Sequence, residues 1–132
     1  MVNAVPYQLL KRGRDIGLPC SANPSSSSIY ANLKPFPPVS NQSVDYTIEG
    51  VMLDYEITPY KTEIVIAYAD QNVLGDLYIK VLDFHYAKAA PFSIDVPDVP
   101  TPLLPGKYAI TVIIADNPNK PKTHACSYAI FG

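Results

Sequence analysis

Two histidines, two cysteines and a scatter of carboxylates are the side chains that could do covalent or acid–base chemistry in this 132-residue chain. His85 and His124 each stand alone in extended-looking segments, where a histidine is usually packed or hydrogen-bonded rather than catalytic. Asp54 and Glu56, like Asp45 and Glu49, recur at strand spacing on polar faces. General acid–base work would need one of them desolvated beside a partner, and the pattern reads as solvated strand faces. The sequence contains no nucleophile elbow, HExxH pair or glycine-rich phosphate loop. Its acidic residues lack the density of a calcium loop, and two cysteines cannot make a four-ligand zinc site or, at this spacing, a CxxC redox pair. The chain reads as non-enzymatic, with no cofactor and no metal.

Cys20 and Cys126 lie near opposite ends, and one long-range disulfide is their economical reading; two independent buried thiols are the alternative. A bridge would imply an oxidising compartment, and Asn41-Gln42-Ser43 fits a glycosylation acceptor at Asn41. Met1-Val2-Asn3-Ala4 lacks the charged start and apolar centre of a signal peptide, which is the expectation for a mature form carrying an added Met. The longest strongly apolar run, Tyr108 to Ala115, is far short of a membrane span.

The elements that must position these residues are legible in composition. Hydrophobic residues make up 48% and charged residues 17%, enough for a core. A net charge of -2 gives no general electrostatic grip on nucleic acid. Fourteen Pro exclude a mostly helical chain, since an interior Pro removes a donor and clashes with the preceding turn. Ten Tyr suit strands with one apolar face and a wet edge. An all-β domain follows. It divides into a loosely held lead-in over residues 1–19, with the basic cluster Lys11-Arg12-Gly13-Arg14, and a single domain over 20–132. Asn23 to Ser28 reads as loop. Lys11-Arg12 is also the spacing of a dibasic processing site, although a solvated stretch explains it as well.

Period-2 alternation then takes over. Val44, Tyr46 and Ile48 alternate with polar residues. Past Gly50 the apolar set changes parity to Val51, Leu53, Tyr55 and Ile57, which predicts a bulge or bend at the glycine. Ile64, Ile66 and Tyr68 begin another strand, and Asp70 to Asp76 reads as a turn. Leu77 to Tyr86 is apolar on both faces, as in a central strand or one beneath a covering loop. Phe92, Ile94 and Val96 alternate next, and Pro97 to Gly106 is a stiff apolar loop. Tyr108, Ile110, Val112 and Ile114 follow, then a turn from Asp116 to Lys122. His124, Cys126, Tyr128 and Ile130 close the chain in one phase. About seven short strands predict an antiparallel sandwich, with a closed barrel second.

The order of motifs carries a resemblance. Cys20 precedes Ile29-Tyr30-Ala31-Asn32-Leu33-Lys34-Pro35-Phe36-Pro37-Pro38, then Asn41-Gln42-Ser43-Val44 and a strand with Gly50 in its middle. Leu104-Pro105-Gly106-Lys107-Tyr108 opens a later strand, and Cys126 lies in the last one. From about Leu18 to Phe131 this order resembles the ML lipid-recognition family, in particular fungal phosphatidylglycerol/phosphatidylinositol transfer proteins and Niemann-Pick-type sterol carriers. The resemblance implies an immunoglobulin-like β-sandwich that holds a phospholipid, fatty acid or sterol between its sheets without covalent chemistry. It also implies a Cys20–Cys126 bridge and a secreted or lumenal, vacuole- or lysosome-like location.

Cavity-facing positions implied by the resemblance are Val44, Tyr46, Ile48, Ile64, Ile66, Tyr68, Ile79, Val81, Phe92, Ile94, Tyr108, Ile110, Val112 and Tyr128. Each would alternate identically in an ordinary packed core. Leu103, Leu104 and Phe36 would make transient membrane contact or shield the mouth, with Lys88 or Lys107 near an anionic head group. The chain lacks the additional cysteines common in that family, and Pro97, Pro100, Pro102 and Pro105 would stiffen the mouth instead. The alternative is a secreted recognition or structural sandwich with a filled core, binding a protein or glycan through its loops, for which Tyr is well suited.

Overall fold

Residues 15–21, 27–116 and 122–132 are described by a computed structural model of the chain. They form eight strands: β1 (Leu18–Pro19), β2 (Ser27–Lys34), β3 (Ser43–Met52), β4 (Thr62–Ala69), β5 (Val73–Val81), β6 (Phe92–Pro100), β7 (Tyr108–Asp116) and β8 (Lys122–Phe131). Two antiparallel sheets result, a five-stranded one in the order β1-β8-β7-β4-β5 and a three-stranded one in the order β2-β3-β6. Their inner faces supply the alternating Ile, Val and Tyr of β3, β4, β6 and β7, all of one buried cluster. Fully burying each such side chain contributes about 1.5–3 kcal/mol, which is what drives the two sheets together.

One lateral edge of the sandwich is sewn shut by polar contacts. Ser127 Oγ in β8 donates to the Ile29 carbonyl of β2 at 2.7 Å, and Ser27 Oγ in β2 donates to the His124 carbonyl at 2.6 Å. Ile16 pairs with Ala31 in β2, and two residues later Leu18 pairs with Tyr128 in β8. The chain thus crosses from one sheet to the other there, and Ile16 is fully buried. From Ile16 onward the lead-in belongs to the sandwich; residues 1–14, with the Lys11-Arg12 pair, lie outside the described part, as do residues 22–26 and 117–121.

Several sequence expectations are corrected. Gly50 marks no change of parity: Met52 stays buried, Leu53 is exposed and β3 ends at Met52. The register shift along β3 falls instead between Val44 and Tyr46, where Pro97 and Asp98 of β6 stand opposite the single Asp45. Glycine is required at position 50 because a Cβ there would meet the Ser28 carbonyl oxygen and Ile29 Cα of the neighbouring strand. The turn before β5 is shorter than expected, since Val73 already pairs with Ala69. Pro97 and Pro100 sit within β6 rather than in a loop, which is tolerated because β6 is an edge strand whose missing donors face outward.

Candidate functional site

Eleven of the fourteen expected cavity residues converge between the sheets. Val44, Tyr46, Ile48, Ile64, Ile66, Tyr68, Phe92, Ile94, Tyr108, Ile110 and Val112 are all buried in the shared core. Ile79 and Val81 are not among them: they are 52% and 49% exposed on the outer side of β5. There Leu74 and Tyr78 pack inward instead, a choice that a run apolar on both faces does not reveal. Tyr128 also points outward, half-buried opposite Leu18 and Thr111. A register shift between Ile114 and Ala115 puts Ala125 and Ser127 inward, so β8 does not keep one phase from His124 to Ile130.

At one end of the interior lies a cluster of hydroxyls. Tyr46 reaches across from β3 to Tyr68 of β4, with the phenol oxygens 2.7 Å apart. Tyr108 and the buried Thr101 lie near them, and the Thr101 hydroxyl approaches Tyr68 without forming a hydrogen bond of good geometry. Burial pushes the Tyr46, Tyr68 and Tyr108 phenols above their ordinary value. For Tyr46 the neighbouring tyrosines add to that rise, whereas for Tyr68 the Tyr46 and Thr101 hydroxyls partly offset it. These phenols stay neutral donors and acceptors through the physiological range.

Two loops cover this end, residues 35–42 and 101–107. They are tied together where Asn41 N–H donates to the Thr101 carbonyl at 3.0 Å and Leu104 N–H donates to Ser40 Oγ at 2.9 Å. Phe36 and Leu103 stand on them 51% and 72% exposed, with Val39 beside them in sequence. Phe36 meets Phe131 edge-on, and Phe131 stacks flat on Tyr108. Leu104, by contrast, packs against the core. Lys88 and Lys107 are exposed, and Asn41, in a left-handed backbone conformation that Asn tolerates, is exposed as well.

The other end holds a charged latch that the alternation pattern gave no sign of. His124 Nε2 lies 3.0 Å from Asp116 Oδ1, its ring stacks on Tyr55 at 4.1 Å, and Thr62 Oγ1 donates to the same carboxylate at 2.9 Å. Burial raises the Asp116 carboxyl, but the Thr62 and His124 hydrogen bonds and the charges of His124 and Lys61 outweigh it and hold the group below its usual value. Thr62 bonds the carboxylate, and Ser27 bonds the backbone carbonyl of His124. At the surface His85 Nε2 lies 3.2 Å from Glu56 Oε2, with both side chains about half exposed. Among the described residues no group of three or more His, Cys, Asp or Glu is placed to hold a metal.

Cys20 and Cys126 are joined by a disulfide that spans 106 residues and ties the residue after β1 to β8. Such a bridge fits an oxidising environment of the kind found in secreted or lumenal compartments.

Side chains fill the space between the sheets. Among the described residues, the hollow against Met52, Ile57 and Phe92 has no room for a water molecule. A larger groove, about 570 Å³ and open to solvent, runs beside Asn32, Leu33, Lys34, Asp45, Tyr46, Thr47, Asp95 and Pro97. No family model, curated protein or solved structure matches the chain.

Proposed function

We propose that this domain is a non-enzymatic carrier of an apolar or amphiphilic molecule, a fatty acid, phospholipid or sterol, taken up between the two sheets in an immunoglobulin-like sandwich. The observation that carries the reading is the make-up of one end. Exposed apolar residues on two tethered loops, Phe36 and Leu103, stand over a buried hydroxyl cluster that opens onto the longest apolar faces of the molecule. An amphiphile would put its chain along Ile66, Ile110 and Ile48 and its polar end near Tyr46, Tyr68 and Thr101. Each methylene moved out of water contributes about 0.8 kcal/mol. The closed interior is then the unliganded state, and parting the loops lowers the apparent affinity by the fraction of open molecules. The resemblance in motif order supports a secreted or lumenal site of action and transient membrane contact through Phe36 and Leu103, and the Asn41-Gln42-Ser43 triplet supports glycosylation at Asn41.

The filled interior favours a second reading, a recognition sandwich that binds a protein or glycan through its loops and the groove beside Lys34 and Asp95. Titration with a fluorescent fatty acid separates the two. A saturable fluorescence rise that unlabelled fatty acid reverses, weakened by Ile66→Asp or Ile110→Asp in variants that still fold, supports carriage. No saturable rise up to the solubility limit supports recognition by surface instead.

A further inference from the structure

The two sheets differ in their outer faces. Outward positions on the three-stranded sheet are mostly polar and carry charges of both signs, with Asn32, Lys34, Asp45, Thr47, Glu49 and Asp95. On β4, β7 and β8 of the five-stranded sheet, Glu63 is the one charged side chain among the described outward residues. Paired rows place Ile79 beside Val65 and Val65 beside Ile113, with Val81 beside Glu63 and Ile130 beside Ala109. Ile79, Val81 and Ile130 are about half exposed or more. β5, whose apolar run suggests a central or covered strand, is an edge strand with neither kind of cover among the described residues. An exposed apolar edge of this kind invites association unless something occupies it.

We infer that this outer face is the contact surface of a homodimer, with a second copy of the chain packed against it sheet to sheet. Size supports that occupant. Four strands of eight to ten residues make the face. At about 4.8 Å between strands and 3.3 Å per residue they present roughly 550 Å² in projection, hence about 1,100 Å² for two copies, which clears the size of a specific interface. Charge supports it too. A nearly neutral face meets its own copy across a two-fold axis without needing an oppositely charged partner. Anionic head groups would find little to hold them, since Lys107 at one rim is the cation nearest Ala109 and Ile130 and the chain carries a net charge of -2.

The test is sedimentation velocity on the full chain over a roughly 1,000-fold concentration range, where mass action must show as a shift from monomer to dimer. Ile79→Glu is expected to weaken the dimer on the order of 100-fold by burying an unpaired charge on the β5 side of the contact. Thr47→Glu, on the polar outer face of the other sheet, should leave it unchanged. Far-UV circular dichroism checks the fold, and Val81→Lys reads the same surface if Ile79→Glu does not fold. A monomer at every concentration overturns the inference, as does a dimer that withstands both β5 variants or yields equally to Thr47→Glu. A monomer that sediments with neutral phosphatidylcholine vesicles, or that dimerises only after removal of residues 1–14, assigns the face to another occupant and overturns it as well.

Discussion

The phenol oxygens of Tyr46 and Tyr68 lie 2.7 Å apart in the interior, one contributed by each sheet. A polar bond inside an otherwise aliphatic core has an asymmetric energetic signature. Tyr68→Phe strands the Tyr46 hydroxyl and should cost about 1–3 kcal/mol, whereas the double change of Tyr46 and Tyr68 to Phe should cost less than the sum of the single changes. Urea midpoints of the four proteins measure the cycle. Strict additivity would mean that the two hydroxyls do not depend on one another.

The same burial makes an alkaline prediction. Folded phenols raised above their unfolded value of about 10 favour the native state fully below that pH, and this contribution is lost as pH climbs above it. Of the ten Tyr, three of those in the core have raised phenols: Tyr46, Tyr68 and Tyr108. Tyrosinate absorbance should therefore rise in two stages, the later one coinciding with loss of the folded circular dichroism signal. A single reversible stage for all tyrosines contradicts the buried cluster.

At the other end the sign is reversed. Asp116 titrates below its unfolded value, so its share of stability is present above about pH 4 and disappears as pH falls through the folded value. Asp116→Asn keeps the shape of the latch and removes that titration. Melting temperature should fall more steeply with acid in the parent protein than in the variant. Parallel curves would show that the His124 and Thr62 contacts carry no linkage. The exposed Lys61, 3.7 Å away, adds little in either case.

The disulfide closes a loop of 106 residues. Chain-entropy arithmetic gives such a closure about 4–5 kcal/mol. Replacing Cys20 and Cys126 together by Ser should lower denaturant stability by that order. A loss under about 1 kcal/mol would mean that the unfolded chain is little constrained by the bridge.

Gly50 and Gly106 make a matched pair. A Cβ at Gly50 would meet the backbone of β2, while one at Gly106 meets nothing within 4 Å. Gly50→Ala should cost at least about 1–3 kcal/mol through forced backbone movement, and Gly106→Ala should fall within about 0.5 kcal/mol of the parent. Thermal melts of the two variants decide it, and equal costs would contradict the close approach of β2 to β3.

Much of this architecture can be read from the residues, and the gaps have physical causes. Alternation at Val44-Tyr46-Ile48 identifies an inner face because β3 carries Asp45, Thr47 and Glu49 on its wet side. Ile64-Ile66-Tyr68 and Tyr108-Ile110-Val112, by contrast, turn inward opposite outer rows that are themselves mostly apolar, with Val65, Ala67, Ala109 and Ile113. The same logic fails on β5, where Leu77, Ile79 and Val81 are as apolar as the inward Leu74 and Tyr78, so pattern alone assigns no side. It fails again on β8, where a register shift beside Ala115 exchanges the faces and turns Tyr128 outward. Gly50 interrupts the pattern for a reason that lies in its neighbour, the Ser28 carbonyl, and not in its own strand. The end-to-end bridge was legible because only two cysteines exist. The Tyr46–Tyr68 and His124–Asp116 contacts were not, since both join residues whose proximity depends on sheet order.

Whether a lipid is carried between the sheets is decided by native mass spectrometry of the protein purified from a secreting host, followed by organic extraction. The account predicts a fraction of molecules carrying one lipid-sized adduct, released on denaturation and recovered as a fatty acid, phospholipid or sterol. A homogeneous bare mass that gains no adduct on incubation with fatty acid, phospholipid or sterol would contradict it.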